Sequence, residues 1–173
     1  MQHFSIGGQR KMGIRDSPLI IKYPPLTTAG TLCREPTVSH DFYPTFVDLA
    51  GGKLPANQPI DGHSLKPLLS KPSARLARQA IFWHYPHYGN QGGEPSSIIT
   101  QDDWKLIYYH EDGRDELYHL TKDPAEKHDL ARREPSKAKA LRAKLDAWPK
   151  STDAQLPAKD ATCPLYTSYT AHE

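Results

Sequence analysis

Trp83-His84-Tyr85-Pro86-His87-Tyr88 is the densest cluster of chemically able side chains in this sequence. Its imidazoles suit proton transfer, metal ligation or hydrogen bonding to an anionic group. Its aromatic rings suit stacking on sugar faces. Pro86 breaks a strand and turns the residues after it into a loop. The same residues also read as a strand end whose aromatics fill a core and whose histidines sit at the surface, and chemistry alone favours that plainer reading. A zinc site is weaker still, because two histidines with no Cys or further His nearby fall short of a ligand set.

Other polar groupings are weaker. Asp102-Asp103 reads as a hairpin turn before a strand rather than a cation site. The run 111–116 resembles a calcium loop in composition but lacks EF-hand spacing. Glu126-Lys127-His128-Asp129 reads as a solvated turn, with Asp129 placed to cap the next helical turn. Lys137, Lys139, Arg142 and Lys144 read as the wet face of a helix. No glycine-rich phosphate loop, nucleophile elbow or metal-ligand set is present.

The elements that must position these residues follow from patterning. Leu19-Ile20-Ile21, closed by Pro24-Pro25, predicts a buried strand. Tyr43, Phe46, Val47, Leu49 and Ala50 recur at helical spacing, with Asp41 as cap, Pro44 in the first turn and Gly51-Gly52 as stop. Ser64 is placed to cap a short helix over 65–69. Residues 80–83, 97–100, 104–109 and 116–120 predict strands, the last two forming a hairpin. Pro135 opens a helix in which Leu141, Leu145 and Trp148 share one face. Sheet and helix can bury each other's apolar faces, an α+β arrangement. Residues 149–173 show no periodicity and read as an irregular tail.

The 173 residues suit one domain, or one and a fragment. Sixteen prolines and eleven glycines imply many turns and a modest core. A net charge of +2 with interspersed signs gives no case for nucleic-acid or membrane-surface binding. No apolar run approaches the roughly 20 residues of a membrane span. The first eight residues lack the basic-then-apolar pattern of a signal peptide. Cys33 and Cys163 lie in neither a Cys-x-x-Cys nor a His-paired spacing and read as ordinary thiols.

Taken in order, Trp83-His84-Tyr85-Pro86-His87-Tyr88, Asp103-Trp104-Lys105-Leu106-Ile107, Glu116-Leu117-Tyr118 and Asp123-Pro124-Ala125-Glu126 resemble the C-terminal subdomain of the sulfatases, the sulfuric-ester hydrolases. Met12-Gly13-Ile14-Arg15 with Pro18-Leu19-Ile20-Ile21, the Ser39 to Gly51 segment, and Asp61-Gly62-x-Ser64-Leu65-x-Pro67-Leu68-Leu69 extend the resemblance from about residue 7 to about residue 148. It implies an α+β piece of an alkaline-phosphatase-like α/β enzyme. Residues 1–70 are then a remnant of the catalytic domain, 71–150 an antiparallel-sheet-plus-helix subdomain, and 151–173 a tail.

The resemblance implies hydrolysis of aryl or carbohydrate sulfates as the parent reaction. The Cys/Ser-x-Pro-x-Arg motif that yields the family's formylglycine nucleophile does not occur in this sequence, and Ile6 stands where a sulfate-binding Lys is expected. The expectation is therefore no catalytic residue and no metal ligand in this chain, calcium being a cofactor of the full-length family, and no turnover by the chain alone. His84 and His87, then Tyr88 and Trp83, are the expected contacts to sulfate or sugar. Expected partners are a sulfated carbohydrate or aryl sulfate and a separate or missing catalytic domain, with no nucleic acid and no membrane. Family members are usually exported. The rival expectation is a non-catalytic module that binds a sulfated glycan or another chain.

Overall fold

The structure, a computed structural model, describes residues 19–88 and 93–157. The chain divides into two compact units after Gln79.

In the first unit, Leu19, Ile20 and Ile21 belong to no strand, and Ile20 is 90% exposed. This corrects the expected buried strand. An extended segment becomes a strand only when a neighbour takes its N–H and C=O groups, and none does so among the described residues. A 3-10 turn at Ser39–Asp41 leads into helix α1, Phe42–Leu49. Pro44 lies in its first turn, and Gly51 follows with a left-handed φ of 70° that ends it.

Asp41 does not cap α1 through its side chain. It is fully buried and holds the unit together instead. One carboxylate oxygen accepts from the backbone N–H of His63 at 2.9 Å and from the Arg78 guanidinium, and the other accepts from the Val38 N–H. Helix α2, Lys66–Ser70, starts one residue later than expected. The Ser64 hydroxyl donates to Asp48 at 2.7 Å and accepts a long bond from the Lys66 N–H. Leu65, Leu68 and Leu76 form the small core, with Phe42 and Cys33 against it. Gly62 passes so close to the His40 carbonyl that an added Cβ would overlap its oxygen.

The second unit is a four-stranded antiparallel sheet in sequence order. Its strands are β1 (Ile81–Tyr85), β2 (Ser96–Gln101), β3 (Trp104–Tyr109) and β4 (Asp115–His119), followed by helix α3 (Pro135–Thr152). Asp102, with φ of 55°, turns β2 into β3, and Gly113, with φ of 75°, turns β3 toward β4. Register sets Phe82, Ile99, Leu106 and Leu117 side by side across the sheet. They meet Ala138, Leu141 and Leu145 of α3. Trp148 continues that helix face and stacks on Phe82 with ring centroids 5.2 Å apart. This is the α+β arrangement that the patterning predicts.

Residues of opposite parity form a second cluster, in which Ile98, Ile107, Tyr109 and Tyr118 are buried with Trp83 against them. Lys105 lies on this face, where Glu126 reaches it at 2.8 Å, with side chains only 3% and 8% exposed. The turn holding Glu126 is thus not solvated at that residue, and Glu126 takes a left-handed φ of 52° to make the pair. Asp129 accepts from the Ala131 N–H, as a local cap does, and also from the Leu117 N–H of β4. Among the basic residues expected on the wet face of α3, Arg142 is an exception. Its guanidinium lies 3.2 Å from the Tyr108 ring centroid and pairs with Asp115.

Candidate functional site

Strand alternation divides the aromatic–histidine cluster. Trp83 packs on the Ile98–Tyr118 face. His84 points to the opposite, α3 side, where its ring meets Trp148 and His110 edge-on. Tyr85 is exposed, and beyond Pro86 the His87 and Tyr88 side chains are exposed as well. His87 and Tyr85 meet edge to face at 5.7 Å. The structure therefore keeps His87 and Tyr88 together at the mouth of the β1–β2 connection and sets His84 and Trp83 on opposite faces.

Both ring nitrogens of His84 have protein partners. Nε2 lies 2.7 Å from the Gln155 carbonyl oxygen, and Nδ1 lies 2.7 Å from Ser97 Oγ. Ser97 is directly opposite His84 in the β1–β2 register. Its hydroxyl also lies 2.8 Å from His110 Nε2. A carbonyl can only accept, so His84 carries its hydrogen on Nε2. In a neutral ring Nδ1 then accepts from the Ser97 hydroxyl, whose oxygen accepts in turn from His110 Nε2–H. Burial, reinforced by His84 and then by Arg142, holds His110 below the usual histidine pKa.

Two groups that sequence reasoning missed frame this end of the sheet. Arg142 joins Tyr108, Asp115 and Asp146. Arg114 lies over the Tyr109 ring and pairs with Glu94, Asp112 and Glu116. Its bond to Glu94 ties the β3–β4 turn to the chain that enters β2. Burial, with the Glu116 charge beside it, pushes the Tyr109 hydroxyl up to about 12. Ser97 and His110 carry no motif; only register brings them to His84.

Among the described residues, no group of three or more His, Cys, Asp or Glu side chains is placed to hold a metal ion. Asp41 already accepts from three protein donors, so its carboxylate does not fit a calcium ligand.

A protein-family model described as N-sulphoglucosamine sulphohydrolase, C-terminal, matches residues 12–151. The chain belongs to the sulfatase family. A protein called sulfatase from Formosa agariphila is 36% identical over 145 residues, covering 76% of this chain and 26% of that protein. An N-acetylglucosamine-6-O-sulfatase from Bacteroides thetaiotaomicron is 35% identical over 117 residues, covering 65% of this chain and 21% of its own. Among solved structures, that of BT4656 in complex with its substrate D-glucosamine-2-N,6-O-disulfate superposes with a TM-score of 0.68. Identity to it is 31%, covering 82% of this chain and 29% of the other. This sulfatase-family chain thus spans about a quarter of the length of the relatives it matches. The match is to the C-terminal portion of the family, and the sheet and α3 are the α+β part of an alkaline-phosphatase-like sulfatase.

Proposed function

We propose that this chain serves as the C-terminal portion of a sulfatase that removes sulfate from a sulfated carbohydrate, and that it supplies part of the rim of the substrate pocket. The observation that carries the reading is the exposed pair His87 and Tyr88 past the end of β1, in a chain whose solved relative holds a sulfated glucosamine. An imidazole N–H donates to sulfate or sugar oxygens, and a tyrosine ring stacks on a sugar face. Trp83 supports the strand from its far face. His84, the other residue expected to contact ligand, lines the same strand end, where its Nε2–H bonds the Gln155 carbonyl.

Bond cleavage belongs to groups outside this sequence. Residues 1–70 go with the catalytic α/β domain, and the sheet and α3 form the C-terminal subdomain. Exposed Leu19, Ile20 and Phe46 are the surface that catalytic domain would cover. Calorimetric titration of the purified chain with D-glucosamine-2-N,6-O-disulfate tests the reading, with aryl-sulfate turnover measured alongside in the presence of calcium. Binding without turnover, weakened at least about tenfold by His87→Ala, is the expected result. Turnover by this chain alone, or binding indifferent to both His87→Ala and Tyr88→Ala, overturns it.

A further inference from the structure

We propose that the exposed face of α3, with the residues leading into it, is a docking surface for a sulfated polysaccharide chain, an inference that rests on the reading of the ligand as a sulfated carbohydrate. The charge of this chain is unevenly placed. Between Leu130 and Lys150, seven Lys and Arg side chains stand against two acids, Glu134 and Asp146, a net of +5 in a chain whose total is +2. The remaining residues therefore carry a net of −3. Arg132, Arg133, Lys137, Lys139, Lys144 and Lys150 are all exposed. Among the described residues none of these six pairs with a carboxylate, whereas Arg142, the seventh, is neutralised by Asp115 and Asp146. Like charges gathered on one helix repel one another, so the fold gains nothing from this grouping.

Helical periodicity arranges the cations. The buried stripe of α3 is Ala138, Leu141, Leu145 and Pro149. Opposite it, Ser136, Ala140, Ala143 and Ala147 are exposed and short, and leave the face between the lysines unobstructed. Lys137 and Lys144, two turns apart, border that face on one side. Lys139 and Lys150, three turns apart, border it on the other. Two of these ammonium groups are held in place without being neutralised. Lys137 Nζ lies 5.7 Å from the Trp104 ring centroid, and Lys144 Nζ donates to the Gln101 side-chain carbonyl at 2.7 Å. A cation that is positioned yet keeps its charge is suited to an anion from outside the chain.

From Lys137 to Lys150 the cations extend over about 20 Å of helix. Charges spread over that length match a polymer with repeated anions better than one small anion. Sulfate groups accept charge-assisted hydrogen bonds from Lys and Arg. A sulfatase-family chain whose solved relative holds D-glucosamine-2-N,6-O-disulfate makes a polymer of sulfated sugars the occupant of matching charge.

Calorimetric titration of the full chain with heparin, a polysaccharide containing N- and 6-O-sulfated glucosamine, tests the surface. Affinity should fall at least about tenfold between about 50 mM and about 200 mM salt, as polyanions release counterions on binding. Combining Lys137→Gln, Lys139→Gln and Lys144→Gln should weaken binding at least about tenfold at the lower salt and flatten the salt dependence. Urea melts of this triple variant should match the parent, since all three sites are exposed. Combining Lys53→Gln, Lys71→Gln and Lys122→Gln removes the same charge from other exposed sites and should change heparin affinity less than about twofold. Equal effects of the two triple variants, or no effect of the first, overturn the surface. Double-stranded DNA that binds as tightly as heparin at the same salt also overturns it, by making the face a general polyanion site. The first triple variant should still titrate with D-glucosamine-2-N,6-O-disulfate as the parent does. If that sugar fails to bind the parent while heparin binds through α3, the contact at His87 and Tyr88 falls and the surface stands.

Discussion

In the sheet-and-helix unit, Ile99, Leu106, Ile107 and Leu117 are each 0% exposed. In residues 19–79, Ile20 is 90% exposed, Leu32 70% and Phe46 65%. The two units differ in what holds them. The sheet-and-helix unit has a sheet face packed against α3. The unit of residues 19–79 has a core of Leu65, Leu68 and Leu76, and relies on Asp41 gathering three donors from separate segments. Apolar burial is diffuse and tolerates small shifts, whereas a buried carboxylate holding three donors depends on each of them. On the proposed reading, the exposed apolar side chains of the smaller unit are the surface that the catalytic domain would cover.

Substitutions can sharpen that contrast. Glu126→Gln should have the largest effect in the sheet unit, about 3–5 kcal/mol, because it leaves the Lys105 ammonium buried without a counter-charge. Replacing both partners with apolar residues should recover much of that loss in urea melts, and a double variant no better than the single would refute the explanation. Leu106→Ala should cost about 3 kcal/mol by opening a cavity under α3. Gly62→Ala should cost about 1–3 kcal/mol or more through overlap with the His40 carbonyl. Its effect on amide exchange should be confined to residues 19–79. Phe46→Lys, at an exposed site, should change stability by less than about 0.5 kcal/mol yet reduce self-association by light scattering. A large loss of stability there would mean that Phe46 is already structural within its own unit.

The strands, their order and the helix face were legible because alternation and helical spacing are local signals. Trp104, Leu106 and Tyr108 announce β3, and Leu141 and Leu145 announce the buried stripe of α3. The segment 19–21 was misread because an apolar, β-branched run signals a wish for partners without saying whether they are present. Glu126 looked solvated because its partner Lys105 is 21 residues earlier, and a charge pattern along the chain does not reveal a fold-back. Asp41 looked like a helix cap because a cap and a buried hub share the same side chain. Within the candidate site, His84, His87 and Tyr88 stood out by type. Ser97 and His110 did not, since their meeting with His84 depends on the register of three strands.

The sheet's strands lie in space in the order in which they occur in the chain, and the helix that covers them comes directly after. Each pairing closes a short loop, so little chain entropy is lost before native contacts begin to form. Such a meander draws its pairing partners from neighbouring sequence rather than from distant segments. The C-terminal sheet of this sulfatase-family chain is thus built from contacts that lie mostly near one another in sequence.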